Sequence, residues 1–308
     1  MKVVTYNIRF GLGLDHKIDL RRITDTIRDA DIIALQEVER FWRRSEQTDQ
    51  PEQIGELLPD HFWTYFPTLD LDASTIHHKG KVKNRRRQLG VMVLSKWPIL
   101  SSRCLLLPQM PTFSVTGIPT GALECVINMP STPLRVYCIH LSSASVAERL
   151  AQVETLKKMH EMIERCGRAV TTDTAQSHLS EAENSALMDW DNGEKPIPVP
   201  DHTLLLGDFN FTDESAEYIR LLGEPDPSYG YGVNQGSFVD SWLVAKQSSK
   251  DSSTWWPDPP GRQPGQPLRI DYCFVNTELA SSILQAWVDI DAEGSDHRPY
   301  WLELDLEQ

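Results

Sequence analysis

The chain has 308 residues, 40% of them hydrophobic, and a formal net charge of −14. That length and apolar content suit one large α/β domain. No apolar run is long enough to span a bilayer, and the acidic balance argues against a dedicated nucleic-acid binder, whose footprint is basic. The 5 cysteines are odd in number and scattered, three of them in apolar runs, so buried free thiols are expected rather than disulfides or a zinc site.

Met1-Lys2 leads straight into the β-rich run Val3-Val4-Thr5-Tyr6-Asn7-Ile8, with no signal-peptide pattern, so a cytoplasmic location is the default expectation. Asn7 interrupts this run and needs a partner, either backbone or a site. Arg9 and Gly11-Leu12-Gly13 then open a loop. Leu20, Ile23, Ile27 and Ala30 recur at helical spacing behind Asp19, a suitable N-cap, which predicts a helix over 19–29. Ile32-Ile33-Ala34-Leu35 reads as a buried strand ending at Gln36-Glu37-Val38-Glu39. Glu37 is either a hard oxygen donor for a magnesium-type ion or simply the first solvated residue after the strand.

A polar loop with Arg43 and Arg44, which suit phosphate or surface ion pairs, leads to a short helix near 54–58 and a strand at 62–66. The one concentrated basic run, Lys79, Lys81, Lys83, Arg85, Arg86 and Arg87, reads as a solvated loop or as a contact for an anionic substrate or membrane surface. Further strands are predicted at 89–95, 105–111, 123–128 and 134–141, the last with His140 at its end. A helix over 145–165 presents Val146, Leu150, Val153, Leu156, Met159 and Ile163 on one face. The stretch 168–202 is irregular and reads as an insertion.

Leu204-Leu205-Leu206 is a strand buried on both faces that stops at Gly207. Asp208 and Asn210 follow. If the extended conformation persists they share one side; otherwise they close an Asx turn. A helix over 215–222, a Gly/Pro-containing loop, Phe238-Val239-Asp240 and a Trp- and Pro-rich loop come next. Arg269 to Val275 forms a strand in which Asp271 is an acid in need of a partner. Asp296 and His297 stand side by side on a turn before the last strand, 300–304, a pairing that packing does not explain.

Strand after strand thus ends in Asn, Glu, His or Asp. The segments Thr5-Tyr6-Asn7, Leu35-Gln36-Glu37-Val38, Ile139-His140-Leu141, Gly207-Asp208-Phe209-Asn210, Arg269-Ile270-Asp271-Tyr272 and Ser295-Asp296-His297 resemble, in order, the endonuclease/exonuclease/phosphatase superfamily. Its members include DNase I, the abasic-site endonucleases, neutral sphingomyelinases and inositol-polyphosphate 5-phosphatases. The resemblance implies one domain over 1–308: a four-layer α/β sandwich with two mixed β-sheets face to face and helices outside. It implies a hydrolase that cleaves phosphoesters with Mg2+ or Mn2+. Carried over, Glu37 is the main metal ligand with Asn7 beside it and Asp296 assisting. Asp208 and Asn210 orient the attacking water and hold phosphate, His297 is the catalytic imidazole, Asp271 orients it, and His140 donates to a phosphate oxygen. Arg9, Asn210 and His140 are the substrate-binding candidates. Whether Asp208 or His297 takes the water's proton stays open.

Ser95-Lys96-Trp97-Pro98-Ile99 also resembles the sphingomyelinase-like and bacterial phosphodiesterase members, so a phosphodiester or phosphomonoester on a small or lipid-like molecule is the favoured substrate. A nuclease using the 79–87 run as its groove is the alternative, and an inactive fold used for binding is a third reading. The sequence sets no oligomeric state.

Overall fold

The structure, a computed structural model, describes residues 1–110, 117–166, 197–228, 230–231, 237–256 and 266–306. Most of the insertion expected at 168–202 lies outside the described residues. Apolar runs that tolerate burial on both faces become the central strands of two sheets. One sheet has seven strands in the order β12-β14-β15-β1-β2-β6-β3. These are β1 (Lys2–Asn7), β2 (Ile32–Arg40), β3 (Phe62–Asp72), β6 (Arg86–Ser95), β12 (Gln247–Ser248), β14 (Ile283–Val288) and β15 (Tyr300–Leu304). The other has six in the order β11-β13-β10-β9-β8-β7, namely β7 (Ile99–Leu106), β8 (Gly121–Ile127), β9 (Leu134–His140), β10 (His202–Asp208), β11 (Phe238–Asp240) and β13 (Asp271–Asn276). A small hairpin, β4 (Thr75–Ile76) with β5 (Val82–Lys83), stands apart.

Both sheets are mixed. β1 runs parallel to β2 but antiparallel to β15, and β9 runs parallel to β10 while β13 is antiparallel to β10. The layer between the sheets is largely apolar, filled by Val3, Ile32, Ala34, Val91 and Leu302 from one and Leu123, Val136, Leu204, Leu206 and Val275 from the other. Helices cover the outer faces. α1 (Leu20–Ile27) and α2 (Gln50–Leu57) lie over the seven-stranded sheet, burying Ile23, Ile27 and Ile54. α3 (Val146–Cys166) and the helix Ala216–Leu222 lie over the other, burying Val153, Leu156, Ile163 and Leu221. The result is the expected four-layer α/β sandwich. No helix among the described residues is long and apolar enough to cross a membrane.

The helix starts follow their caps: the Asp19 side chain accepts from the Arg22 N–H and the Ser215 hydroxyl from the Tyr218 N–H. Cys125, Cys138 and Cys273 are buried free thiols.

Several expectations need correction. The strand expected at 105–111 is β7, Ile99–Leu106, because its exposed outer face hides it from an apolar-run search. β2 does not end before Glu37. It continues to Arg40 through a bulge in which Gln36 and Glu37 together oppose one residue of β6. β10 includes Gly207 and Asp208. The helix expected near 54–58 begins at Gln50, and the strand at 62–66 runs on to Asp72. Val146 is half exposed and outside the α3 contact. β14 was not anticipated, since its face alternates only imperfectly.

Beneath α3, His160 is buried with its Nδ1 3.2 Å from the Tyr137 hydroxyl and its ring 5.1 Å from that of Phe238. Burial, and then Arg135, lowers its pKa to about 4. The unfolded chain therefore binds a proton that the fold refuses between about pH 6.5 and 4, so this contribution to stability is present at neutral pH and lost as pH falls. On going from about pH 7 to about pH 5, urea denaturation should show the native chain losing about 2 kcal/mol more than His160→Phe. Equal losses would contradict it.

Candidate active site

Strand directions gather the polar strand ends at one edge. The parallel pairs β1/β2 and β9/β10 finish there, while β13 and β15, antiparallel to their neighbours, begin there. Asn7, Glu37, His140, Asp208, Asp271 and the Asp296-His297 turn therefore meet although they come from the whole length of the chain.

Asp208 is the centre, 1% exposed at the end of β10. β9 and β10 approach so closely here that a Cβ on Gly207 would run into the Ile139 carbonyl oxygen, so only glycine fits before it. The Asn7 side-chain amide donates to Asp208 Oδ2 at 3.0 Å and to Glu37 Oε1 at 3.2 Å, tying the two carboxylates together across the two sheets. The Asn7 Oδ1 accepts from the Arg9 N–H at 3.0 Å, so the amide nitrogen is the end that faces the acids. Glu37 reaches this position because the β2 bulge holds it at φ 57°, in the left-handed region.

The Nε2 atoms of His140 and His297 each stand 3.7 Å from Asp208 Oδ2. His297 Nδ1 lies 2.8 Å from Asp271 Oδ2. Burial opposes charge on His297, but Asp271 and then Asp208 outweigh it and lift its pKa to about 10. Burial pushes the Asp208 carboxyl above the usual carboxylate range, and Asp271 adds to that. Asp296 is raised by burial as well, with Arg9 Nη1 3.5 Å from its Oδ2.

The extended conformation does not persist to Asn210. Its φ is 52°, its N–H donates to Asp208 Oδ1 at 2.9 Å in an Asx turn, and its side chain donates to the Leu141 carbonyl at 3.0 Å. Asn210 thus braces Asp208 and joins β9 to β10.

Residues that sequence reasoning passed over hold the site from behind. The fully buried Thr254 hydroxyl accepts from the N–H groups of Ile270 and Asp271 at 3.1 and 3.0 Å, while its carbonyl accepts from the Arg298 N–H at 2.6 Å. It stitches the Asp271 strand to the His297 turn. Buried Arg269 lies 2.9 Å from both Asp240 and Asp213 and anchors the start of β13. Nothing local distinguishes Thr254 in its loop; the double acceptance exists only in the fold.

Glu37, His140, Asp208, Asn210, Asp296 and His297 line a cleft of about 610 Å³, together with Arg9, Phe10, Arg44, Trp255, Leu268 and Ile270. Donor atoms of Asp208, Asp271 and His297 lie within 4.8 Å of one another. The hydrogen bonding of His297 to Asp271 accounts for that trio without an ion. The wider donor set does suit a hard divalent cation: Glu37, Asp208, Asp271 and Asp296 supply four carboxylates against two guanidiniums, Arg9 and Arg44, and one imidazolium, His297, and Arg44 is already paired with Glu39. Glu37 and Asp296, with Asn7 beside them, are the residues that would hold it.

The family model described as "Endonuclease/Exonuclease/phosphatase family" matches residues 4–297. Sequence comparison with curated proteins finds no match. Among solved structures, a mannosyl-6-phosphatase from Bacteroides thetaiotaomicron VPI-5482 is 16% identical with a TM-score of 0.63, over 99% of this chain and 100% of that one. A family protein from Leptotrichia buccalis C-1013-b is 17% identical with a TM-score of 0.62, over 99% and 100%. A 3'-5' exonuclease from Neisseria meningitidis is 15% identical with a TM-score of 0.55, over 99% of each. At these identities the likeness is one of fold.

Asp271→Asn should lower the His297 pKa from about 10 by about one unit or more, read by NMR titration of the imidazole in the metal-free protein. An unchanged titration would mean that Asp271 does not hold the proton there.

Proposed function

This chain belongs to the endonuclease/exonuclease/phosphatase family, whose members hydrolyse phosphoesters, and on that premise we propose that it cleaves a phosphoester by in-line attack of water with a divalent cation, Mg2+ or Mn2+, at the sheet edge. The observation that carries this reading is Asp208: a buried carboxylate clamped by Asn7 and flanked at 3.7 Å by two imidazoles. A phosphoryl group seated between His140 and His297 would take a hydrogen bond from each, with Asp208 beside it to orient water.

His297, charged at neutral pH through Asp271, stabilises negative charge on the phosphoryl oxygens rather than abstracting a proton. That leaves Asp208 as the acceptor of the water's proton, and its raised pKa makes it the more basic for that task. The water oxygen bonds to phosphorus as the bond to the leaving oxygen breaks. Arg9, His140 and Asn210 line the cleft and bind phosphoryl oxygens. A bound ion, held by Glu37 and Asp296 with Asn7 beside them, would supply positive charge that offsets the phosphoryl anion.

The cleft volume and its apolar wall of Phe10, Trp255, Leu268 and Ile270 favour a small or lipid-like phosphodiester or phosphomonoester. Fold alone does not choose the substrate.

With bis-p-nitrophenyl phosphate and Mg2+ or Mn2+, Asp208→Ala and His297→Ala should each lower kcat by about a hundredfold or more with the native fold retained by circular dichroism. Near-native rates in either would sink the assignment. Glu37→Ala should instead raise the metal concentration needed for half-maximal rate; an unchanged metal response moves the ion elsewhere.

A further inference from the structure

Beyond Phe10 the rim of the cleft carries cations that the reaction outlined above does not use. Arg44 lines the cleft with its guanidinium 4.3 Å from the Phe10 ring and 5.4 Å from that of Trp42. Arg87 also lies 5.4 Å from the Trp42 ring, and Arg85 lies 4.0 Å from the Phe41 ring. Trp42 is itself pinned, its Nε1 donating to the Gln88 carbonyl at 2.7 Å. The turn that presents these rings holds Phe41, Glu46 and Gln47 at positive φ.

Charge balance sets these arginines apart. Arg44 is matched by the fully buried Glu39 beneath it, and Arg86, which alternates to the other side, by Asp70. Arg43, Arg85 and Arg87 meet no carboxylate among the described residues; the Arg85 guanidinium donates only to Gln47, at 3.3 Å. The Arg87 Nε is shielded from solvent and has no hydrogen-bond partner. In a chain of net charge −14 with 44 acidic residues, cations left without an acid in one place are unexpected from composition. Stacking on a ring fixes a guanidinium while leaving its in-plane N–H groups free to fork onto phosphate. Part of the ordering cost of anion binding is thus met in advance.

We propose that this arginine–aromatic ridge binds a second phosphate of the same substrate molecule whose scissile phosphoester sits at Asp208. The substrate class is then a molecule with at least two phosphates, spaced to reach from the cleft to Arg85 and Arg87. This rests on the phosphoesterase reading and narrows it. The shared chemistry is a second phosphate, whether on a small multiply phosphorylated molecule or on the neighbouring link of an oligonucleotide.

The test is calorimetric binding to the full chain with Mg2+, using hydrolysis-resistant probes: butylphosphonate, a series of alkane-α,ω-bisphosphonates of increasing length, and a phosphorothioate oligonucleotide. At one chain length the bisphosphonate should bind about tenfold or more tighter than the monophosphonate. Arg85→Gln and Arg87→Gln, checked for an unchanged melting temperature, should bring that ratio close to one, and Arg87→Lys should restore only part of it. An advantage confined to the oligonucleotide and lost in the same variants assigns the second phosphate to a nucleic acid. Equal affinities at every length and for the oligonucleotide, or an advantage that survives both Gln variants, overturns the ridge. Hydrolysis of bis-p-nitrophenyl phosphate is read separately, so the ridge can fail while the phosphoesterase stands, and the reverse.

Discussion

The hydrogen bond from Asn7 to Asp208 joins the last residue of a strand in one sheet to the last residue of a strand in the other. Its 3.0 Å length depends on the close-packed apolar layer that fixes the spacing of the sheets. The same amide also holds Glu37, so one side chain sets the separation of the Asp208 and Glu37 carboxylates. A buried carboxylate without such donors would carry a heavy desolvation cost. Asn7 and the Asn210 backbone N–H supply them, and the rest of the site is arranged around the result.

Concentrating acids at a sheet edge works against stability. Burial raises Asp208 and Asp296, and Asp208 and Asp271 together hold a proton on His297. Backbone strain collects in the same place. Arg9, Phe10, Glu37 and Asn210 all take positive φ at the cleft, as do Phe41, Glu46 and Gln47 at the adjoining rim, while His16 is the remaining case among the described non-glycine residues. Each costs of order 1 kcal/mol or more and persists because surrounding packing over-determines it. The apolar layers on either side of each sheet offset these local costs.

The proposed phosphate-binding ridge stands apart from the strand-edge cluster around Asp208. The groups around Asp208 come from strand ends and their immediate turns, held by strand pairing. The aromatic and cationic groups beyond Phe10 come from the connection between β2 and α2 and from the start of β6, where side chains can change without disturbing the ladder.

Much of this was legible in the residues themselves. Strands buried on both faces give continuous apolar runs, so β1, β2, β9, β10 and β13 stand out, and a polar residue at the end of each is conspicuous against them. Period and capping identify α1 and α3, and the order of the strand-end motifs points to the family. Edge and half-exposed strands such as β7 and β14 lack that contrast and blur. The bulge that carries Glu37, the turn at Asn210, the hold of Thr254 on both Asp271 and Arg298, and the stacking of Arg44 and Arg87 on Trp42 were decided by the tertiary structure alone. The bulge, the hold of Thr254 and the Arg87–Trp42 contact depend on segments far apart in the chain, and at Asn210 the structure chose between two local conformations that the residues left open. Local periodicity records which face a residue must bury, and carries no trace of the partner it will meet there.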